Sequence, residues 1–161
     1  MRIIFASLFA RQARAAALAA LMTLGATFTA SAAPASDAQP LVSVEWLKDR
    51  LSDKNLVVLD IRSAIDGGGA KAYVAGHIPG SVHSDYDKAG WRVTRNNVPF
   101  MLPTTAELEK LIGDIGIDED KHVVVVPAGV SHTDFGSAAR TYWTLKVVGL
   151  KNVSILDGGV A

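Results

Sequence analysis

The sequence predicts an α/β domain in which a mostly parallel sheet is flanked by helices. Three observations carry that prediction. The apolar runs Leu56-Val57-Val58-Leu59, Val123-Val124-Val125-Val126 and Val153-Ser154-Ile155-Leu156 are each closed by an Asp or a Pro. Short runs of this kind suit strands buried on both faces, as the strands of parallel sheets are. Segments of helical periodicity separate them, and alternation of strand and helix argues for a parallel sheet. In such sheets ligands bind beyond the carboxyl ends of the strands, which directs attention to Asp60, Pro127, Asp157 and the loops after them.

Taken in chain order, Ser43 is placed to cap a helix whose apolar positions Val44, Leu47 and Leu51 recur at helical spacing. The strand from Leu56 ends at Asp60, and Asp66-Gly67-Gly68-Gly69 reads as a loop. Gly76-His77-Ile78-Pro79-Gly80 is a turn, because Gly-His and Pro-Gly break both periods, and Ser81-Val82-His83 is a short strand. From Asp85 to Pro103 there is no clear period, which predicts a long connection ordered around Trp91, Phe100 and Met101. Thr104 with Glu107 forms a capping box opening a helix with Leu108, Leu111, Ile112 and Ile115 on one face, stopped near Gly116. After the second strand and Pro127, a polar loop runs to Asp134. A helix from about Gly136 to Val148 carries Ala139, Tyr142, Trp143, Leu145 and Val147, with Gly149 at its end. The third strand leads into Asp157-Gly158-Gly159.

Composition narrows the function classes. The chain has 161 residues, 49% hydrophobic and 20% charged, which marks a globular domain. Sixteen basic residues balance sixteen acidic ones, so the electrostatic footprint of a nucleic-acid binder is missing. Residues 1–32 differ from the rest. Arg2, Arg11 and Arg14 form a positive start, Ala15 to Phe28 is uncharged and apolar, and Ala30-Ser31-Ala32 is a small-x-small cleavage site. This reads as a secretory signal peptide cut after Ala32, its run falling short of the ~20 residues of a membrane span. The expected destination is the periplasm, with no membrane attachment after cleavage. Arg11 and Arg14 are not adjacent, so there is no twin-arginine signal. Residues 33–40, with Pro34, Ser36, Asp37 and Pro40, predict a flexible leader, and residues 41–161 form the domain.

Several of these pieces occur together in one family. Leu59-Asp60-Ile61-Arg62 after a buried strand, then Gly76-His77-Ile78-Pro79-Gly80-Ser81, then strand, loop and helix, then Leu156-Asp157-Gly158-Gly159, resemble the rhodanese-like domain across residues 41–161. Val98-Pro99-Phe100-Met101-Leu102-Pro103 resembles the linker of tandem thiosulfate and 3-mercaptopyruvate sulfurtransferases. The resemblance implies a persulfide-forming cysteine at the start of the loop after the second buried strand, with the backbone N–H groups of that loop stabilising the thiolate and its sulfur. Here that place falls at or near Pro127, the loop is Ala128 to Gly136, and the chain contains no cysteine at all. A sulfur-carrying enzyme needs a thiolate nucleophile. The chain therefore resembles the non-catalytic first domain of a tandem sulfurtransferase, whose second rhodanese domain would hold the cysteine and receive the small sulfur donors. Family domains continue beyond the Gly-Gly with an aromatic residue and a closing helix. This sequence ends at Gly159-Val160-Ala161, which predicts a truncated domain with one sheet face partly uncovered and an exposed apolar patch.

Individual residues admit more than one role. Asp60 and Arg62 have catalytic side-chain types, but a carboxylate and a guanidinium beside a buried strand end also form a structural ion pair that fixes loops, and that reading is preferred. His77, Gly80, Asp157 and Gly158 are read as structural parts of their turns. His83, Asp85 and Asp87 have alternating spacing that invites a metal; with His122 and His132 far along the chain, they are read as loop residues and no metal is assigned. Ser131-His132-x-Asp134 has the letters of a triad, but triads are defined by geometry and no Gly-x-Ser-x-Gly elbow is present. Pro127, Ala128, Gly129, Ser131 and His132 occupy the active-loop position without its cysteine. The loop is either a surface loop, as its lack of Arg and Lys suggests, or a weak anion site. Trp91, Arg92 and Arg95 are either anchors for the second domain or locally packed. Gly67, Gly68 and Gly69 are not followed by Lys-Ser or Lys-Thr, so no nucleotide or other cofactor is assigned. The expectation is an exported sulfurtransferase's amino-terminal rhodanese domain, inactive alone; the alternative is a non-catalytic module that binds an anion or a protein.

Overall fold

The computed structural model describes residues 38–161; the predicted signal peptide and residues 33–37 of the leader lie outside the described residues. The strands are β1 (Leu41–Val42), β2 (Leu56–Asp60), β3 (Val82–His83), β4 (Val93–Arg95), β5 (Val98–Met101), β6 (His122–Val126) and β7 (Val153–Leu156). The helices are α1 (Val44–Lys48), α2 (Gly69–Ala75), α3 (Thr105–Asp114) and α4 (His132–Val147). Five strands form one parallel sheet in the order β1-β7-β6-β2-β3. The three apolar runs form its central strands β2, β6 and β7, and the short strand expected at Ser81–His83 is its edge strand β3.

Alternation along these strands divides the core in two. Leu59, Val123, Val125, Val153 and Ile155 face one layer, packed with Trp91, Leu108, Ile112, Ala138 and Leu145. Val58, Val124, Val126 and Leu156 face the other, packed with Val42, Leu47, Trp46, Ile78 and Val160. Burial on both faces is what an unbroken apolar run requires. It also corrects the expected bare face: Val58, Val124, Val126 and Leu156 are all buried, because α1, Ile78 and Val160 pack over them.

The capping box of α3 is present as read. Glu107 N donates to Thr104 Oγ1 at 3.3 Å and Thr104 N to Glu107 Oε2 at 2.6 Å. Leu108 and Ile112 are buried, and Gly116 follows with a φ of 77°.

Four elements differ from the sequence reading. β1 joins the sheet edge, and the carbonyls of Gln39 and Pro40 accept from Ser154 Oγ and Ile155 N at 2.6 and 2.8 Å; two residues are too few to show a period. The Gly-rich loop passes into α2, with Gly69 its first residue and Gly68 capping it at a φ of 84°. The long connection contains an antiparallel hairpin, β4–β5, turning at Asn96 and Asn97 with φ of 52° and 61°. Consecutive positive φ values are what a tight hairpin turn needs, and Asn tolerates them. The segment Val98–Pro103, which resembles an interdomain linker, is thereby strand β5 and the run into α3, inside the domain. Finally, α4 begins at His132, about four residues before the predicted start. Ser131 is its N-cap, in a capping box closed by Asp134.

Candidate functional site

The loops after β2, β6 and β7 meet at the carboxyl edge of the sheet. The chain end runs beside the loop after β6, with Val160 N donating to the Pro127 carbonyl and Ala161 N to the Ala128 carbonyl, both at 3.1 Å. A Cβ placed on Gly159 would lie 2.6 Å from the Pro127 oxygen, and one on Gly129 would overlap the Gly158 carbonyl. Gly67 approaches from the loop after β2, where a Cβ would come within 2.6 Å of the Ala128 methyl. Thr133 Oγ1 donates to Asp66 Oδ1 at 3.2 Å and lies 2.6 Å from Ser131 Oγ, tying the first loop to the start of α4.

Two amides of the loop after β6 are already engaged. Asp134 Oδ2 accepts from Val130 N at 2.7 Å and from Ser131 N at 3.3 Å. A carboxylate at a helix N-terminus is favoured by exposed N–H groups and by the helix dipole. Asp134 is buried, so this loop binds an anion that the chain itself supplies. Pro127 has no N–H to offer, and the Ala128 side chain is only a methyl. The shallow pocket between Pro127, Gly129, Asp134, Phe135 and Gly158, about 290 Å³, is therefore lined by neither thiol nor cationic side chain.

Ser131 and Asp134 bond to each other's backbone as a helix cap, while His132 is exposed beside them. Two of the three triad letters thus form a capping box, which the Ser-x-x-Asp spacing ahead of a helix signals. The sequence reading extends the loop through Asp134, whereas Asp134 caps the helix and holds the Val130 amide.

Asp60 and Arg62 form a buried ion pair. Arg62 Nη2 lies 2.7 Å from Asp60 Oδ2, Arg62 Nε donates to both carboxylate oxygens, and Arg62 N donates to Oδ1 at 3.0 Å. Arg62 Nη2 also reaches the Gly76 carbonyl at 2.9 Å, fastening the turn that holds His77. His77 Nδ1 lies 2.9 Å from the Tyr73 carbonyl, and its ring stacks on that of Tyr73. Gly80 has a φ of 77° in the same turn. Asp157 N donates to the Val42 carbonyl at 2.9 Å, and Gly158 turns the chain with a φ of 87°. The metal-like letters are engaged separately: His83 Nε2 with the Arg62 carbonyl at 2.8 Å, Asp85 Oδ1 with the backbones of Asp87 and Lys88, and Asp87 with Arg92.

Trp91 corrects the interface reading. It is fully buried in the core and donates from Nε1 to Ser84 Oγ at 3.0 Å, so it is a packing residue. Arg92 pairs with Asp87 and stacks on the rings of Tyr86 and Phe100. Burial pushes the Tyr86 hydroxyl pKa up, against the pull of Arg92 and Arg140. Arg95 pairs with Glu107 at 2.9 Å. Among the described residues, no helix is long and apolar enough to cross a membrane.

Comparison with known proteins places this geometry among relatives. The rhodanese-like domain profile matches residues 43–161. The 3-mercaptopyruvate sulfurtransferase of Escherichia coli strain K12 is 32% identical over 124 residues, covering 74% of this chain and 42% of that protein. The thiosulfate sulfurtransferase of Rattus norvegicus is 34% identical over 127 residues, covering 74% of this chain and 41% of its own length. The chain thus spans about two fifths of these relatives. Among solved structures, SseA from Escherichia coli, described as a rhodanese fold of 3-mercaptopyruvate sulfotransferases, superposes with a TM-score of 0.60 at 28% identity, covering 76% of this chain and 46% of that one.

Proposed function

The chain belongs to the rhodanese-like domain family, and from that premise we propose that it is the amino-terminal, non-catalytic domain of an exported sulfurtransferase. The parent protein would move sulfane sulfur from thiosulfate or 3-mercaptopyruvate to a thiophile through a cysteine persulfide on a second rhodanese domain. One observation carries the proposal. The loop in the active-loop position begins with Pro127, and its Val130 and Ser131 amides are held by Asp134. A loop so arranged has no nucleophile to load, and two of its amides are already held by the chain's own carboxylate rather than offered to a persulfide. The length of the relatives supports a further domain, since this chain spans 42% and 41% of two of them. The charged start and small-x-small site of residues 1–32 support export to the periplasm.

The role of this domain would be to support the second one and wall one side of the cleft between them. Ile65, Val130 and Phe135 flank the Asp66–Thr133 hydrogen bond in the chain and are exposed at 80%, 64% and 44%. Exposed apolar side chains on the two segments that this bond joins suit a protein contact. The same three residues favour protein binding over anion binding if the chain acts without an enzymatic partner.

The test is turnover. The purified chain, given thiosulfate and cyanide or 3-mercaptopyruvate and a thiol, should release thiocyanate or sulfide no faster than a protein-free blank. Catalytic release by this chain would sink the proposal. Recovery of the chain from the cytoplasmic rather than the periplasmic fraction of a bacterial host would overturn the export part alone.

A further inference from the structure

At the opposite edge of the sheet, where β6 and β7 begin, the carboxyl ends of α3 and α4 come together over a pocket of about 240 Å³. Its floor is apolar: Ile112 from α3, Ile117 from the turn after it, and Val148 and Leu150 from the turn after α4. Its other walls carry Glu109, Asp118 and Glu119 and no basic residue. Asp118 has local partners, accepting from Asp120 N at 3.1 Å and lying 3.8 Å from Lys121 Nζ. Glu109 and Glu119 have no ion pair among the described residues. Two helix carboxyl termini add partial negative charge from their last carbonyls. An apolar floor thus lies beside the carboxylates of Glu109 and Glu119, with Asp118 already near Lys121, and away from the loops of the proposed sulfur-transfer architecture.

From this charge pattern we propose that the pocket receives one apolar side chain of a partner polypeptide, flanked in that partner by lysine or arginine. The apolar side chain displaces water from Ile112, Ile117 and Leu150, while the cations meet Glu109 and Glu119. An acidic segment is rejected by the same carboxylates, since like charges brought together at an interface oppose binding.

The probes are the peptides acetyl-Lys-Leu-Lys-amide and acetyl-Glu-Leu-Glu-amide, titrated into the ¹⁵N-labelled full chain. The lysine peptide should shift the amide signals of Gly113, Gly149 and Leu150, with an affinity that weakens as salt is raised. Replacing both glutamates, Glu109→Gln with Glu119→Gln, should lower that affinity by about fivefold, the size expected when partly exposed ion pairs are lost. Both positions are exposed, so the double variant retains its fold, checked by an otherwise unchanged spectrum. The inference is overturned if the lysine peptide leaves these three amides unmoved. It is equally overturned if the glutamate peptide moves them as far, or if the double variant binds as well as the native chain. None of these outcomes bears on sulfur transfer.

Discussion

The carboxylate of Asp134 lies 2.7 Å from the backbone nitrogen of Val130, four residues before it, and so closes the loop after β6 on the chain's own charge. That contact decides what the loop can bind. An Asp134→Ala substitution removes the acceptor of two amides and one half of the capping box. Loss of such a cap costs about 1–2 kcal/mol, read as a lower urea midpoint. The same substitution frees the two amides. Sulfate should then shift the Val130 and Ser131 signals in the variant and leave them still in the native chain. Equal shifts in both would show that Asp134 does not guard the loop.

Close backbone approach makes a second prediction. Gly129 has a φ of 80°, and its missing Cβ is the space taken by the Gly158 carbonyl. Gly129→Ala therefore meets both a steric overlap and a conformation that alanine avoids, a combination worth about 1–3 kcal/mol of lost stability. Gly136, inside α4, has nothing within 4 Å of its would-be Cβ. Gly136→Ala should instead stabilise by about 0.5–1 kcal/mol, the helix-propensity difference. Thermal melts of the pair check both signs; a neutral Gly129→Ala would mean that the chain end does not pack on this loop.

The central strands β2, β6 and β7, α3 and the Asp60–Arg62 pair are legible because each rests on a local signal: an unbroken apolar run, a Thr-x-x-Glu box, a carboxylate and a guanidinium two residues apart. The elements that escaped depend on distant partners. β1 is two residues long and exists only because β7 offers its edge. Trp91 reads equally as anchor or core until the Ser84 hydroxyl and the surrounding apolar layer are placed around it. The Asn96-Asn97 turn carried a signal in its residue types, but the strands on either side are too short and too exposed to show a period. At the candidate site the missing cysteine was plain in the sequence. What replaces its chemistry, a carboxylate bound by the loop's own amides, needed the fold.

The buried pair of Asp60 and Arg62 should respond asymmetrically to substitution. Arg62→Met leaves the Asp60 carboxylate buried without its cation and also drops the bond to Gly76. Breaking a buried pair from one side costs about 3–5 kcal/mol. Adding Asp60→Asn to that variant neutralises the stranded charge and should restore part of the loss. A double-mutant cycle in urea measures this coupling. Additive losses would mean that the two side chains act on stability independently.

His122 supplies a pH dependence whose sign follows from its surroundings. Burial, reinforced by the nearby Arg50 and opposed by Asp53, holds its pKa below the ordinary value of 6.5. Trp46 packs against its ring, and its Nε2 lies 2.9 Å from Ser154 Oγ, whose hydroxyl donates to the Gln39 carbonyl. With that hydroxyl proton spent on Gln39, Nε2–H is the donor to Ser154. Above pH 6.5 the ring is neutral in both folded and unfolded chains and its contribution is fully present. As pH falls below 6.5 the unfolded chain takes up a proton that the folded chain resists, so stability drops until the folded value is passed. The urea midpoint of the native chain should therefore decline between pH 7.5 and 5.5. His122→Asn keeps a donor for Ser154 but does not titrate, and its midpoint should decline less over the same interval. Parallel pH profiles for the two proteins would show that the charge on His122 does not matter to the attachment of β1.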